Sequence, residues 1–157
     1  MEIKKDYAVS EYMQRNVVTV SKTATFRDAV EIMIKNHTNG AVVIDESNKV
    51  IGILSSSDFI QHIVPDYLEE DKHLASFEAG DVFIKRIKKV NNDSVTKFMT
   101  KSVHTIKPHH TLIEASTLLS EFHIRQLPVV DEAGVLIGYI NRTDIKKAIG
   151  QVLGINN

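Results

Sequence analysis

Residues 127–140, Leu-Pro-Val-Val-Asp-Glu-Ala-Gly-Val-Leu-Ile-Gly-Tyr-Ile, contain two apolar runs separated by a short polar turn. Apolar runs of this length predict buried strands, and Gly134 suits a turn residue with positive φ. Residues 41–54, Ala-Val-Val-Ile-Asp-Glu-Ser-Asn-Lys-Val-Ile-Gly-Ile-Leu, show the same pattern, with Asn48 in the place of Gly134. The chain therefore contains the same strand–turn–strand pattern twice.

These strand pairs belong to a longer internal repeat. When the chain is shifted by 86 positions, residues 9–58 align without a gap on residues 95–144, and thirteen of the fifty aligned pairs are identical. A repeat of this length is too long for a solenoid unit. It predicts an α/β fold made of two tandem copies of one small unit, related by a pseudo-two-fold.

Each copy predicts the element order β-α-β-β-α. A short β-type run, expected to be the first strand, occurs at Val17–Val20 and again at Val103–Ile106. A Thr-x-x-acid motif follows at Thr25 and at Thr111, and this motif is typical of a capped helix start. Apolar residues at helical spacing continue both of these first helices.

The same histidine occurs where each first helix is expected to end, at His37 and at His123. Histidine tolerates a left-handed backbone better than most residues, so a structural role is favoured over metal binding. The second helix of each copy is expected to start near Ser57 and near Thr143.

The repeat predicts three segments along the chain. Residues 1–62 contain the first repeat, residues 63–94 form a linker, and residues 95–157 contain the second repeat. Within the linker, the acidic stretch Pro65–Glu78 is expected to be a surface loop or a short helix. The stretch Val82–Val90 has one apolar face and predicts a helix. That helix either connects the repeats and packs on them, or serves as a docking or regulatory helix for a partner.

Composition limits the class of protein. The chain has 157 residues, 43% hydrophobic residues and a formal net charge of −1. It can bury a core, and no overall charge attracts it to DNA or to an anionic membrane. No stretch of the sequence approaches the roughly 18 unbroken apolar residues of a membrane span, the start lacks the apolar core of a signal peptide, and there is no cysteine. These features predict a cytoplasmic protein without disulfides or thiolate metal sites.

The motifs of common enzymes and metal sites are absent from the sequence. It contains no Gly-x-Ser-x-Gly elbow, no Walker lysine loop and no Gly-x-Gly-x-x-Gly fingerprint. Its seven histidines form no His-x-x-x-His or His-x-x-Glu-His pair. We therefore expect no catalytic turnover and no bound metal.

The ordered motifs, present twice in register, resemble a tandem cystathionine-β-synthase (CBS) domain pair, or Bateman module, of the stand-alone bacterial or archaeal type. The second copy matches better, through Ile124-Arg-Gln-Leu-Pro-Val-Val-Asp131 and Arg142-Thr-Asp144. The first copy keeps Ile51-Gly-Ile-Leu-Ser-Ser-Ser-Asp58 but has Ala41-Val42 where the second has Leu127-Pro128. The resemblance implies a regulatory module that binds an adenosyl ligand in the clefts between its repeats.

In the CBS family, a Gly-x-x-Ser/Thr-x-x-Asp segment binds the adenosine nucleotide. The resemblance assigns Ile53, Ser55 and Asp58 to the ligand site, with Asp58 accepting hydrogen bonds from the ribose hydroxyls, worth roughly 1.5–3 kcal/mol. Gly52 is expected to let the ligand approach the strand, and the helix start suits a phosphate. Alternatively, Ser55 or Ser56 only caps the helix and Asp58 only stabilises its first turn. Both roles can hold at once.

The second copy carries the equivalent site with two added cations. By resemblance, Asp144 keeps the ribose role, and Asn141 replaces the usual Ser/Thr with an amide that can still donate to phosphate. Arg142 adds a positive charge, and Arg125 stands where family members often place a basic residue facing phosphates. The alternative for Arg125 is a surface arginine on a loop. Because the first copy has neutral residues at both arginine positions, the two clefts are expected to bind anions unequally.

The first strands are the third part of the expected ligand site. In the family they contact adenine largely through backbone groups, which implies a role for Thr19 in one copy and for His104 and Thr105 in the other. Pro128 lacks a backbone donor, so we expect it at a sheet edge or at the start of a strand.

A homodimer of such pairs, forming a flat disc, is also implied by the resemblance. Ile32 and Ile34 beside Met33 place apolar residues on more than one face of the first helix, which is more than a core stripe needs. We expect the surplus apolar surface to be covered by a second copy.

Three hypotheses about function follow. The first is a regulatory module that senses AMP, ADP, ATP, S-adenosylmethionine or cyclic di-AMP, needs no obligatory cofactor and signals to an unknown effector protein. The second is a ligand-free dimerisation or scaffold module. The third, a nucleic-acid-binding protein, rests on the basic run at residues 85–89 and is disfavoured by the net charge of −1.

Overall fold

The computed structural model describes residues 6–155. The chain folds into helices and short strands, as the α/β prediction requires. Two 3-10 helices, Lys72–Phe77 and Val95–Lys97, supplement the main elements. In chain order, the main elements are α1 (Val9–Tyr12), β1 (Thr19–Ser21), α2 (Phe26–Lys35), β2 (Gly40–Ile44), β3 (Val50–Ser55), α3 (Ser56–Ile63), α4 (Asp66–Glu70), α5 (Val82–Val90), α6 (Leu112–Glu121), β4 (Gln126–Val130), β5 (Leu136–Asn141) and α7 (Arg142–Val152).

These elements pack as two compact units that interleave along the chain. The repeat-2 unit contains residues 6–17, 46–50 and 103–155, and the repeat-1 unit contains residues 18–45 and 51–102. Each unit therefore includes the opening segment of the other repeat. The predicted segments divide the chain by sequence similarity, whereas the units divide it by packing.

The core of the repeat-1 unit surrounds a three-stranded sheet in the order β1-β2-β3. Strands β1 and β2 are parallel, with Thr19 opposite Val42. Val43 and Leu54 are fully buried in this core, together with Val95 from the opening segment of the second repeat. Phe98 and Met99 from the same segment pack against it.

The core of the repeat-2 unit lies around a two-stranded sheet, β4-β5. Strands β4 and β5 are antiparallel, with Leu127 opposite Ile140, and both of these residues are fully buried. Val9, the repeat counterpart of Val95, is fully buried in this core. Tyr12 and Met13 pack against it from the opening segment of the first repeat.

The capped helix starts predicted from the Thr-x-x-acid motifs are confirmed. At the start of α2, the Thr25 hydroxyl accepts from the Asp28 backbone N–H, and the Asp28 carboxylate accepts from the Thr25 N–H. At the start of α6, Thr111 and Glu114 form the same reciprocal pair. This arrangement satisfies two helix-terminal donors at each site.

The predicted left-handed positions are also confirmed. His37 and His123, which follow α2 and α6, have φ values of 50° and 52°. In the turns between paired strands, Asn48 and Gly134 have φ values of 58° and 82°. The two repeats therefore reverse direction at the same two positions with the same backbone conformation.

One strand prediction is wrong. The Val103–Ile106 run forms no strand, and in the described part of the chain its ladder is reduced to a single bridge between Ile106 and Val129. In the first repeat, the Val42 N–H donates to the Val18 carbonyl at 3.0 Å. The residue equivalent to Val42 is Pro128, which has no N–H, so this ladder bond cannot form in the second repeat. Pro128 lies inside β4 rather than at its start, and because β4 is an edge strand of a two-stranded sheet, the sheet-edge alternative is the one confirmed.

The linker forms the elements expected of it. The acidic stretch contains α4 and a 3-10 helix, and α5 covers the predicted range Val82–Val90. Val90 is buried, and Arg86 Nε on α5 donates to the Ile63 carbonyl at the end of α3 at 2.8 Å. These contacts show a helix packed within the repeat-1 unit, whereas its roles as a connector of the repeats and as a docking helix, with Phe83 and Ile84 exposed, stay predictions.

Candidate functional site

Asp58 lies in the first turn of α3, in the repeat-1 unit. The Ser55 backbone N–H donates to Asp58 Oδ2 at 2.7 Å, and the Ser55 hydroxyl donates to the same oxygen at 3.1 Å. Asp58 Oδ1 accepts from the Thr100 hydroxyl at 3.2 Å. The side chain is half-buried. The helix-capping role expected for this carboxylate is therefore present.

Asp144 occupies the equivalent place on α7, in the repeat-2 unit. Its Oδ2 accepts from the Asn141 backbone N–H at 2.9 Å, while Asn141 Oδ1 accepts from the Asp144 N–H at 3.0 Å. The other oxygen of Asp144, Oδ1, accepts from Gln14 Nε2 at 3.0 Å. Asp144 is only 5% exposed, so it is buried where Asp58 is partly accessible.

The residues that contact the two aspartates from outside their own helix are themselves repeat counterparts. Each follows a methionine that occurs at the same position in both repeats. Gln14 follows Met13, and Thr100 follows Met99, in the opening segment of its repeat. Our sequence reasoning missed both residues. The sequence signal that could have found them is their equivalent position, directly after a methionine present in both repeats. It was missed because their side chains differ and because both lie far in sequence from the Asp motif that they contact.

The expected reason for the motif glycine is corrected by the structure. A Cβ on Gly138 would lie 2.7 Å from the Gln14 carbonyl oxygen and 3.0 Å from Met13 Sδ. A Cβ on Gly52 would overlap the side chain of Met99. The space at both glycines is therefore filled by the opening segment of the other repeat, so close packing of the protein already requires glycine there.

The backbone of the motif is likewise used within each unit. Ile53 exchanges both backbone hydrogen bonds with Thr100, at 3.0 and 2.9 Å, and Tyr139 exchanges both with Gln14, at 2.8 and 2.9 Å. The Tyr139 hydroxyl also donates to Gln14 Oε1 at 2.7 Å. Burial raises the pKa of Tyr139, and the negative charge of Asp144 raises it further. Tyr139, Gln14 and Asp144 thus form one hydrogen-bonded chain.

The expected adenine-contacting residues lie on the first-strand segments. Thr19 is half-buried at the start of β1. His104 is half-buried and stacks on Phe122, with ring centroids 3.7 Å apart and planes inclined by 17°. Thr105 is exposed beside it. Phe122 was not predicted, because its counterpart in the first repeat is an asparagine and the stack occurs in one repeat only.

The two arginines of the second repeat meet at the start of α7. The Arg142 backbone N–H donates to the Arg125 carbonyl at 3.1 Å, and Arg142 Nε donates to the Ile124 carbonyl at 3.2 Å. Both arginine side chains are exposed, and neither forms an ion pair with a carboxylate among residues 6–155. The structure therefore brings together Arg125, Asn141, Arg142 and Asp144 at one end of the repeat-2 unit.

These arrangements can bind hydroxyl groups and anions. A carboxylate offers about four acceptor positions, so both aspartates keep unused acceptor capacity beyond their protein contacts. Residues 6–155 include no group of three or more His, Asp or Glu side chains placed to hold a metal ion. Within the same residues, no helix is both long and apolar enough to span a bilayer.

The two α/β units are interleaved along the chain, and each repeat has an aspartate in a capping box at the start of its last helix, an arrangement that defines a class of tandem-repeat modules. The model of the CBS domain matches the chain twice, at residues 9–65 and 95–151. The chain belongs to the CBS-domain family. The resemblance inferred from the repeated motifs is thereby confirmed.

Relatives include a stand-alone protein and longer ones. The chain is 29% identical over 154 residues to protein MJ1426 of Methanocaldococcus jannaschii, covering 90% of each. It is 29% identical over 160 residues to the chloroplastic CBS domain-containing protein CBSX1 of Arabidopsis thaliana, covering 93% of this chain but 65% of the relative.

A solved structure gives the same fold with a ligand. The crystal structure of CBSX2 in complex with AMP aligns with a TM-score of 0.72 at 28% identity, covering 94% of this chain and 98% of that one. A separate crystal structure of CBSX2 from Arabidopsis thaliana aligns with a TM-score of 0.76 at 26% identity, covering 97% and 100%. The α/β fold is therefore that of a CBS pair.

Proposed function

We propose that this protein is a regulatory adenine-nucleotide-binding module in which Asp58 and Asp144 each accept hydrogen bonds from the ribose of an adenosyl ligand. The observation that carries the proposal is the same carboxylate at the start of the last helix in both repeats, oriented by backbone N–H donors at 2.7 and 2.9 Å. The AMP complex of CBSX2, a structural relative at 28% identity, supports an adenosyl ligand.

The remaining residues have distinct roles in this proposal. Ser55 and Asn141, at the helix starts, lie next to the ribose-binding carboxylates, and Arg125 and Arg142 receive phosphate groups through charge-assisted hydrogen bonds. The first-strand segments, represented by Thr19, His104 and Thr105, face the adenine. Because Ile53 uses its backbone groups within the protein, its contribution is limited to its side chain.

The two sites differ in accessibility and charge. Asp58 is half-buried beside neutral residues, whereas Asp144 is 5% exposed behind Gln14 and close to two arginines. Because Gln14 Nε2 already donates to Asp144 Oδ1 at 3.0 Å, a ribose hydroxyl that binds this oxygen competes with the Gln14 side chain. We therefore propose that the repeat-2 site prefers phosphorylated ligands and that its filling displaces Gln14.

The candidate ligands are AMP, ADP, ATP, S-adenosylmethionine and cyclic di-AMP, and the module signals to an effector protein without catalytic turnover. A cytoplasmic location remains a prediction from the absence of cysteines. This chain spans 65% of the length of CBSX1. The proposed function therefore includes no activity that depends on the remaining part of such longer proteins.

The proposal includes a homodimer. Ile34 on α2 is 68% exposed and Ile60 on α3 is 58% exposed, and both line a groove of about 540 Å³ whose lining contains no Asp, Glu, Lys or Arg side chain. Burial of these isoleucines against a second copy would remove apolar surface from water and stabilise the dimer by roughly 25 cal/mol for each Å² buried.

Native mass spectrometry of protein purified without added nucleotide tests both parts. The proposal predicts twice the mass of one chain and a carried-over adenosyl ligand, or uptake of AMP when it is added. A ligand-free dimer that binds no member of a nucleotide panel below millimolar concentration would favour the scaffold function instead. A monomer with and without nucleotide would contradict the homodimer.

A further inference from the structure

The side-chain amide of Gln14 is held at both ends in the repeat-2 unit. Its Nε2 donates to Asp144 Oδ1 at 3.0 Å, and its Oε1 accepts from the Tyr139 hydroxyl at 2.7 Å. The two partners fix the orientation of the amide, because the opposite orientation would place the amide oxygen against a carboxylate, and neither of these groups can donate. Gln14 therefore occupies the buried carboxylate of Asp144 with both polar ends of its side chain engaged.

The backbone of Gln14 is held separately from its side chain. Gln14 and Tyr139 exchange both backbone hydrogen bonds, at 2.8 and 2.9 Å, and the preceding Met13 packs against the core of the unit. Rotation of the Gln14 side chain therefore breaks two side-chain hydrogen bonds and none of the backbone ones. The amide can leave Asp144 while the opening segment stays folded.

The first repeat has the same backbone pairing without this side-chain arrangement. Thr100 takes the place of Gln14, and Ile53, which has no hydroxyl, takes the place of Tyr139. The backbones of Ile53 and Thr100 still exchange both hydrogen bonds, at 3.0 and 2.9 Å. The contact between the Tyr139 hydroxyl and the Gln14 amide is therefore not required for the pairing that both repeats share.

Gln14 and Thr100 also differ in what they leave for a ligand. The Thr100 hydroxyl donates to Asp58 Oδ1 at 3.2 Å, and a hydroxyl can accept a hydrogen bond from a ligand while it donates to the carboxylate. The NH2 group of Gln14 can only donate, and the Gln14 oxygen already accepts from Tyr139. A ribose hydroxyl can therefore join the Thr100–Asp58 contact, whereas it competes with Gln14 at Asp144 Oδ1.

We propose that Gln14, held by the Tyr139 hydroxyl, is the residue that weakens ribose binding at the repeat-2 site relative to the repeat-1 site. This inference rests on the proposed function, because it assumes that Asp144 binds a ribose. Binding there costs the Gln14–Asp144 and Tyr139–Gln14 hydrogen bonds, and the repeat-1 sequence offers no equivalent of the second. Arg125 and Arg142 act on the phosphate instead, so the effect of Gln14 is isolated with adenosine, which has the ribose but no phosphate.

Titration of the full-length, 15N-labelled protein with adenosine measures the two sites separately. Backbone amides of residues 56–60 report on the repeat-1 site, and those of residues 142–146 report on the repeat-2 site. In the wild type, we expect the repeat-2 amides to respond at the higher adenosine concentration. Gln14→Thr introduces the residue of the first repeat. It is expected to lower the repeat-2 dissociation constant about tenfold, the size of one hydrogen bond to a charged group, and to leave the repeat-1 constant unchanged.

Tyr139→Phe keeps the ring and removes only the hydroxyl that holds Gln14. It is expected to lower the repeat-2 dissociation constant about two- to tenfold, the size of one neutral hydrogen bond. In the Gln14→Thr background the same change is expected to have no further effect, because the hydroxyl acts through Gln14. Tyr67→Phe is the matched control, since it also removes a donating hydroxyl, from a contact with Glu78 in the linker, and should change neither constant.

Three results would overturn the role of Gln14: equal wild-type constants at the two sites, an unchanged repeat-2 constant in folded Gln14→Thr or Tyr139→Phe, or an equal effect of Tyr139→Phe with and without Gln14. Melting temperatures check the folding of each variant. Asp144→Ala separates this inference from the proposed function. If it abolishes the shifts of residues 142–146 while Gln14→Thr leaves the affinity unchanged, only the role of Gln14 is refuted. If adenosine shifts neither segment in any variant, the proposed function is refuted and this inference with it.

Discussion

Gly138 distinguishes close packing of the protein from close approach of a ligand. An alanine Cβ at this position would lie 2.7 Å from the carbonyl oxygen of Gln14, a distance that real Cβ atoms essentially never show. Because the obstacle is backbone, it cannot rotate away. Overpacking of this kind costs about 1–3 kcal/mol, offset by about 0.4–1 kcal/mol from the reduced entropy of the unfolded chain. Gly138→Ala should therefore lower the free energy of unfolding by about 1–2 kcal/mol.

Two further glycines provide a graded comparison. At Gly52 the obstacle is the flexible side chain of Met99, so Gly52→Ala should be destabilised less than Gly138→Ala. A Cβ added at Gly80 would have no atom within 4 Å apart from those of its chain neighbours, so Gly80→Ala is the matched control and should be unchanged or slightly stabilised.

Chemical and thermal denaturation, both followed by circular dichroism, measure the three variants without ligand. The expected order of stability is Gly80→Ala, then Gly52→Ala, then Gly138→Ala, with a fall of roughly 2–8 °C in the melting temperature of the last. If Gly138→Ala were as stable as Gly80→Ala but lost AMP binding, the packing explanation would be refuted and ligand approach would be the reason for the glycine.

Three other predictions concern stability. Thr111→Ala removes the α6 cap and should cost about 0.5–2 kcal/mol in denaturant unfolding, and a neutral result would contradict the cap. His37→Gly relieves a left-handed residue and should raise the unfolding free energy by about 0.5–1 kcal/mol, whereas destabilisation would show that the imidazole matters. The hydrogen bond from His62 at 2.9 Å holds the pKa of Asp93 below its ordinary value of 3.8. This stabilisation is fully present above the ordinary pKa and is lost as the pH falls through the lowered pKa, so acid titrations of Asp93→Asn should lack that loss.

The repeat made most of the fold predictable from sequence. Two copies of one pattern give each element two independent chances to be recognised, and positions such as Thr25 and Thr111 reinforce each other. The predicted caps, left-handed histidines and connector helix follow from local rules about hydrogen bonding and backbone conformation, which the sequence displays directly.

The strand prediction at Val103–Ile106 failed because of a residue on the neighbouring strand, distant in sequence. The run itself has β-type composition, but whether it pairs depends on the N–H of the neighbouring strand, which Pro128 lacks. The sequence shows that Pro128 has no N–H to donate. Which carbonyl loses its hydrogen bond became clear only from the register of the first repeat, in which the Val42 N–H donates to the Val18 carbonyl.

The interleaving of the units could not be predicted from the repeat. Self-similarity identifies which segments are alike but not which copy each one packs against, and Val9 and Val95 are identical residues. The contacts of Gln14 with Asp144 and of Thr100 with Asp58 follow from this exchange. Asp144 is buried, so its removal should reduce stability more than the loss of a helix-end acid on the surface.

The central claim is that Asp58 and Asp144 hold the ribose of an adenine nucleotide. Calorimetric titration of AMP into the wild type, Asp58→Ala, Asp144→Ala and the double variant tests it directly, with folding checked by circular dichroism. Each substitution should weaken its own site by about 10- to 150-fold, corresponding to roughly 1.5–3 kcal/mol for hydrogen bonds to a charged group. If Asp144→Ala does not fold, the partly exposed Asp58 still provides the test. Wild-type AMP affinity in the folded double variant, or in folded Asp58→Ala at the repeat-1 site, would contradict the account.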